Sequence, residues 1–420
     1  MIILYKGQLF FDPIEEEWVP GAAPAWMGDA TERSMVHFDG KLYIPSRKNA
    51  PANEILVIDA VTGLQITSET ITLDPAVVTG GTFHMNIAAI TESGDKMVFT
   101  NLAVNTQAAP LKGYVMDMDT KVVTPLFEWD NIGQEETQPP FRLGDGMDFY
   151  GDLDPGTEGY LITAAGKHAL RWDFVDGVVT GGGEPTIIEL KAMIPTTDPV
   201  NVGIAPQLSA VSENTFIVDG HGNVPTMYNM DGDMLTGFSG SVAPQPGLSG
   251  AKFFTFKNRE FIFAASANWT KEPNNSFQLF EITGGDLSAA TSIAILPEKG
   301  LGIAKNSSFA YPVNVDVQPD KVLLFMMAPN NGIAGFSMTI DAVGINSANA
   351  SSTTLYPSPA KDVVNFTSTM NVVEIYNTAG QLVKSATNTN SVSVLELQGL
   401  YIVKGVDVEG KTLVQKLVVQ

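Results

Sequence analysis

A short motif returns six times between residues 55 and 338, and its spacing limits the possible folds more than any other feature of the chain. Alternating apolar residues run into a polar position and then a turn: ILVIDAVTG (Ile55–Gly63), YVMDMDTK (Tyr114–Lys121), ALRWDFVDG (Ala169–Gly177), TMYNMDG (Thr226–Gly232), FQLFEITGG (Phe277–Gly285) and IAGFSM (Ile333–Met338). The polar position falls at Asp59, Asp117, Asp173, Asn229, Glu281 and Ser337, so successive copies lie 58, 56, 56, 52 and 56 residues apart. A near-constant period with two-residue alternation inside each copy marks an array of β units. Each period has room for four strands; in the second copy they are predicted near His84–Ile90, Lys96–Asn101, Gly113–Met118 and Val122–Trp129. A four-stranded antiparallel sheet is one blade of a β-propeller. A lone blade cannot bury both faces, whereas a closed ring of blades can. The expected fold is therefore all-β, with a β-propeller over residues 1–344. Six blades are favoured and seven are the alternative, because Met1–Trp18 holds two more strand-like runs, IILYK and LFFD, that either close the ring or begin an extra blade.

Composition agrees with this reading and removes several classes of function. Charged residues are 17% of the chain while Gly (39) and Pro (25) are plentiful, a mixture suited to short strands joined by turns. A net charge of −22 argues against nucleic acid as a partner, since a phosphate backbone requires a positive footprint. With no cysteine there are no disulfides, thiol nucleophiles or Cys-ligated metal centres. Apolar runs such as Lys321–Ala328 fall well short of the ~20 residues that a membrane helix needs, so no transmembrane segment is expected. The first residues, MIILYKGQLFFDPIEEEW, lack the basic start, apolar stretch and small-residue cleavage site of a signal peptide.

After Gly344 the composition changes. INSANASSTT (residues 345–354) is small and polar, as a linker should be. Beyond it, five lysines (Lys361, Lys384, Lys404, Lys411, Lys416) balance five acids (Asp362, Glu374, Glu396, Asp407, Glu409), so the whole −22 lies upstream. Residues 355–420 alternate in short runs, VVNFTS, VVEIYN, LVKSAT, SVSVLEL, GLYIVKGVD and LVQKLVVQ, which predicts a small Ig-like antiparallel β-sandwich.

This tail resembles the type A C-terminal sorting domain of Bacteroidetes type IX secretion cargo. The resemblance is carried by LYPSPAKDVVNF (Leu355–Phe366), VEIYNTAGQLVK (Val373–Lys384), GLYIVKGV (Gly399–Val406) and GKTLVQKLVVQ (Gly410–Gln420), with Pro357, Pro359, Tyr376, Gly380, Tyr401, Gly410 and Lys416 as its motif positions. It has Ser358 where the family usually has Asn. The resemblance implies passage through the periplasm, engagement of the type IX machinery, and delivery to the outer-membrane surface or the medium; it also implies a leader that is absent from this numbering. The upstream part is similar to an uncharacterised family of secreted Bacteroidetes propellers through ERSMVHFDGKLYIPSR (Glu32–Arg47), VTGGTFHMNIAAI (Val78–Ile90), FRLGDGMDFYGDL (Phe141–Leu153), FIVDGHGNVPTMYN (Phe216–Asn229) and NNGIAGF (Asn330–Phe336). That family supplies no activity to carry over.

Propellers hold ligands at the mouth of the central channel, on loops that lead into the innermost strands. Arg33, Arg47 and Arg142 flank such strands in a chain poor in arginine, and each suits a carboxylate or sulfate. Asp145 lies beside Arg142; His84 and Asn86 open another inner strand. His37, His168 and His221 are too scattered for a local zinc pattern, and His221 reads as a turn residue. GDGMDFYGDLDPGTEG (Gly144–Gly159) is rich in acids, so Asp148, Asp152 and Asp154 are the residues that would hold Ca²⁺, although EF-hand spacing is missing and no cofactor is required. Neither GxSxG, SxxK nor a phosphate-cradling loop occurs. The leading expectation is a secreted module that binds a glycan, protein or other surface ligand. The alternatives are a polysaccharide hydrolase or lyase using Asp145 and Asp148 as acid and base, and a structural surface protein or adhesin.

Overall fold

The computed structural model describes residues 2–5, 23–49, 53–196, 200–239, 248–266, 268–306, 308–340, 351, 353–377 and 380–420. The chain divides into two compact units, Ile2–Ile340 and Asp341–Gln420. Both are all-β.

Six small antiparallel sheets make up the first unit. The first contains Val36–Phe38, Lys41–Ser46, Glu54–Asp59 and Ile71–Thr72; the second contains Phe83–Ile90, Lys96–Leu102, Leu111–Asp117 and Val123–Trp129. In the third, Met147–Gly151, Glu158–Ala165 and His168–Val175 are followed by two short strands, Val178–Val179 and Thr186–Glu189, that both pair with His168–Val175. Ile204–Ser212, Thr215–His221, Thr226–Asn229 and Met234–Gly237 form the fourth; Leu248–Phe256, Arg259–Ser266, Ser276–Thr283 and Asp286–Leu296 form the fifth. The sixth joins Val313–Val317, Val322–Ala328 and Gly332–Ile340 to Ile2–Tyr5, with Ile2 opposite Ile340 and Tyr5 opposite Ser337. The IILY run thus completes the sixth sheet instead of starting another. LFFD lies outside the described residues.

All six polar positions of the repeat fall on the third strand of a sheet. Their chemistry explains part of the pattern. The Asp59 carboxylate accepts from the backbone N–H groups of Val61 and Thr62, and Asp117 does the same for Asp119 and Thr120. Asn229 accepts from Asp231 and Asp233. A short acceptor side chain that satisfies the next turn's donors ends the strand at a fixed place.

Packing between the sheets runs in a cycle. Tyr43 and Val57 of the first sheet meet Met97 and Phe99 of the second. Val98 and Phe127 then pack with Leu161 and Trp172, and Tyr160 and Ile162 with Phe216 and Tyr228. Ile217 and Met227 meet Ile262 and Phe280, Phe261 and Phe263 meet Leu324 and Phe336, and Phe325 and Met327 return to Leu42 and Ile44 of the first sheet. Neighbouring residues on one strand therefore serve opposite cores: Phe261, Phe263 and Ala265 face the sixth sheet while Ile262 and Ala264 face the fourth. The first strands follow the same order, and the sixth sheet's first strand contacts that of the first sheet.

The C-terminal unit is one five-stranded curled sheet, in place of the two-layer sandwich expected from its alternation. Leu355–Tyr356, Val363–Asn377, Gly399–Asp407 and Thr412–Val419 lie in that order, and Leu382–Ser393 also pairs with Val363–Asn377. The fifteen-residue strand loses register between Asn365 and Met370, which lets it bend. The sheet then wraps on itself: Ala360 bridges Val419, and its N–H donates to the Val418 carbonyl at 2.8 Å. Val364, Phe366, Val373, Ile375, Val403 and Leu417 fill the enclosed side. Most of the expected linker, residues 345–354, lies outside the described residues; Ser351 donates to Asp407, and the Thr354 N–H to Thr367.

Candidate functional site

At the centre of the six-sheet unit lies a narrow space of about 70 Å³. Its lining includes Met35, Ile87, Asp148, Leu208, Ala251 and Val313, one from the first strand of each sheet or the residue leading into it. Asp148 spans it, with the Lys252 ammonium 2.6 and 2.5 Å from its two oxygens and the Ala210 N–H at 2.8 Å.

Where the first strands begin, the space is far larger. A pocket of about 440 Å³ is lined by Arg33, Arg142, Asp145, Ala165, Gly166, Gly203, Ala205, Pro206 and Ser308. These residues come from segments of the first, third, fourth and sixth sheets, so distant parts of the sequence meet in one mouth. Asp145 is buried and takes a fork from Arg142, whose Nε and Nη2 both donate to it, the latter at 3.0 Å. Arg33 approaches the same carboxylate at 3.6 Å. Gln207 donates to the Asp145 carbonyl at 3.0 Å and fixes the loop from the fourth sheet.

Arg47 sits just behind. Its guanidinium donates to the Ala30 carbonyl at 2.8 Å and the Asn86 Oδ1 at 3.0 Å, and lies 3.6 Å from the centre of the Phe83 ring. Asn86 in turn donates to the Gly144 carbonyl at 2.6 Å, linking the second sheet to the Arg142–Asp145 loop. Burial, with the nearby charge of Arg33, pulls Arg47 down to about 10. Burial also lowers Arg33 against the opposing pull of Asp145, whereas the hydrogen bond to Asp145 raises Arg142.

Three of the other proposed residues lie elsewhere. His84 points its Nδ1 at Asn53, 3.1 Å away, between the first and second sheets, and is not part of the mouth lining. Asp152 and Asp154 do come together, but with Asp95 of the second sheet and not with Asp148. The Lys96 ammonium already lies 3.0 Å from Asp95 and 2.5 Å from Asp154, so the acidic group has its own cation. Sequence reading missed Asp95 because nothing in TESGDK distinguishes it from an ordinary turn acid.

An aromatic group flanks the mouth and was also missed. The His221 and Phe309 rings stack with centroids 4.0 Å apart, and Trp269 lies 5.7 Å from Phe309. Lys305 sits 5.8 Å from the Trp269 ring. The group adjoins the pocket through Ser308, next to Phe309, and through Gly203, where an added Cβ would come within 2.8 Å of the His221 carbonyl oxygen. Burial lowers His221 and so favours its neutral, stacking form. Two residues before it, Asp219 is fully buried; one oxygen accepts from the Gly250 N–H at 3.1 Å, the other has no partner among the described residues, and burial pushes its carboxyl up to about 7.

In the other unit, the motif positions of the tail divide between surface and turns. Pro357, Pro359 and Lys416 are exposed. Tyr376 donates to Glu374 at 2.7 Å, and the Tyr401 hydroxyl to the Gln398 carbonyl at 3.1 Å. Gly380 and Gly410 have φ of +76° and +80°, the left-handed region that glycine enters without strain.

Comparison with known proteins defines the class through this unit: residues 354–420 match the family of secretion system C-terminal sorting domains. The chain is type IX secretion cargo, and its sorting tail directs it to the cell surface or the extracellular space. Among the described residues no helix is long and apolar enough to cross a membrane. A solved structure of a DUF4623 family protein from Bacteroides eggerthii DSM 20697 superposes with a TM-score of 0.58 over 81% of this chain and 75% of its own, at 13% identity. At that identity the similarity concerns fold alone. Hydrazine synthase from Kuenenia stuttgartiensis aligns over 74% of this chain and 80% of its own at 10% identity, but its TM-score of 0.37 carries no argument. No curated protein matches the chain.

Proposed function

We propose that this exported protein is a six-bladed β-propeller that binds a surface or extracellular ligand at the mouth where its first strands begin. The propeller reading is supported by the cyclic order of the six cores and by the N-terminal strand completing the sixth sheet. A ring joined through a strand from the opposite end of the sequence leaves no free sheet face to cover.

The observation that carries the binding role is the gathering of Arg33, Arg47 and Arg142, three of the five arginines in a chain of net charge −22, around one pocket. The hydrolase or lyase alternative has less support. Its two carboxylates are each held by cations, Asp145 by two arginines and Asp148 by Lys252, whereas a glycosidase acid must be free to deliver its proton to the leaving oxygen.

The test is a ligand screen of glycans and proteins with the full chain and with the Arg33→Ala/Arg142→Ala variant. A ligand whose affinity drops at least tenfold in the variant supports the reading. Affinity indifferent to both substitutions, or turnover of a bound polysaccharide, contradicts it.

A further inference from the structure

We propose that the mouth recognises a sugar bearing a single carboxylate, a uronate closing an otherwise neutral oligosaccharide, with Arg142 and Arg33 on the carboxylate and Trp269 along the apolar face of a sugar ring. This rests on the mouth being a binding site, and it names the ligand class.

Charge sets the number of carboxylates. Among the charged groups that line the pocket or stand buried behind it, Arg33, Arg47 and Arg142 oppose Glu32 and Asp145, an excess of 3 − 2 = +1, and Lys305 beside Trp269 lies outside that lining. Glu32 is already held by Ser46, Thr31 and the Gly28 N–H. The chain as a whole repels polyanions, because its net charge is −22 and neighbouring surface charges are felt over about 8 Å at physiological salt. One carboxylate neutralises the excess; a strongly charged polymer meets the surrounding field.

Geometry selects the carboxylate. Arginine presents a planar fork that matches two coplanar oxygens. Arg142 is half-exposed, and its Nη1 makes no hydrogen bond among the described residues; the same holds for the Arg33 Nη2. Burial that disfavours the charged forms of Arg33 and Arg47 means that an incoming anion is attracted to guanidinium groups not fully compensated by the protein.

Room and shape select the sugar. A carboxylate alone occupies a small part of about 440 Å³; beyond the lining, Phe309 next to Ser308 is stacked on His221, and the half-buried Trp269 ring beside Phe309 is the apolar surface on which the C–H face of a pyranose would pack. The backbone here is held in sparsely populated conformations. Ala30, Ala205 and Phe309, all in segments leading into or beginning first strands, have φ of +53°, +50° and +55°; every other described non-glycine residue with positive φ is Asp, Asn or Lys. Apolar residues held in the left-handed region mark a segment whose conformation serves something besides stability.

Calorimetric titration of the full chain with a matched pair, one oligosaccharide ending in glucuronate and the same one ending in glucose, tests this. The acid should bind at least tenfold more tightly, and the difference should shrink as salt rises. Arg142→Ala should remove most of that preference and Arg142→Lys should restore only part of it, while Trp269→Ala should weaken both sugars by a similar factor. Unchanged melting of each variant separates these effects from misfolding. Equal binding of the pair, still weakened by Arg33→Ala, would overturn the carboxylate assignment and leave the mouth reading standing. Failure of both sugars to bind would overturn the uronate, and binding that ignores every mouth substitution would overturn both readings.

Discussion

A middle strand of the first unit is buried on both faces, whereas a strand of the C-terminal unit buries one face and shows the other to solvent. In Arg259–Ser266, Phe261 and Phe263 serve one core while Ile262 and Ala264 serve the next. In Val363–Asn377, Val364 and Val373 are buried beside Val363 and Val372, which are 39% and 38% exposed. Two-sided burial demands a neighbour on each side, so the sheets of the first unit depend on one another. A curled sheet encloses its own core. The comparison teaches that similar short strands can build a cooperative ring or a self-contained module, and that the deciding feature is whether alternate residues are apolar on one face or two.

Core truncation sharpens the contrast most. Phe263→Ala should cost about 3–5 kcal/mol, the range for a buried ring, and should loosen the fifth and sixth sheets together; Ile375→Ala should cost about 2–4 kcal/mol and leave the first unit's melting unchanged. Chemical denaturation followed by hydrogen exchange reads both, and a loss confined to the fifth sheet would break the idea of mutual dependence.

Next in size is a pH effect within the ring. Burial pushes the Asp219 carboxyl from its ordinary 3.8 up to about 7, so the stability tied to its proton is complete below pH 3.8 and is lost as pH rises through about 7. Asp219→Asn should therefore match the parent near pH 3.5 and exceed it at pH 8, by at most about 4 kcal/mol at 1.36 kcal/mol per pH unit. Equal stability of the two at both pH values would show that Asp219 is solvated in a way its burial denies.

Smaller still is the repeat's polar position. Asp117→Ala removes an acceptor from the turn after the second sheet's third strand and should cost about 1 kcal/mol in thermal melts. Smallest is Val372→Ser on the open face of the tail, expected within about 0.5 kcal/mol of the parent; a larger loss would mean that this face is covered.

The two units were legible in the sequence for different reasons. A period near 56 residues revealed the six sheets because the same third strand and turn recur, and at Asp59, Asp117 and Asn229 a side chain fixes where the strand ends. Ordered motifs revealed the tail's role, yet its alternation could not distinguish two stacked sheets from one curled sheet. That choice turns on the register break between Asn365 and Met370, a long-range pairing that the local pattern TSTM does not encode. At the candidate site, arginine was conspicuous by rarity, so Arg33, Arg47 and Arg142, which the structure brings close together, stood out in the sequence. Phe309, Trp269 and His221 were not read as a group, since His221 ends a strand of the fourth sheet while Trp269 and Phe309 lie in later connections, and they meet only once the sheets are stacked.

The central claim is a division of labour: the C-terminal unit addresses the protein and the six-sheet unit carries the proposed binding mouth. Deleting Ser352–Gln420 and following the chain in a secreting cell tests it most directly. The account predicts a truncated protein that is retained by the cell while the melting of residues 2–340 is preserved; unchanged delivery of the truncated chain to the surface or the medium would contradict it.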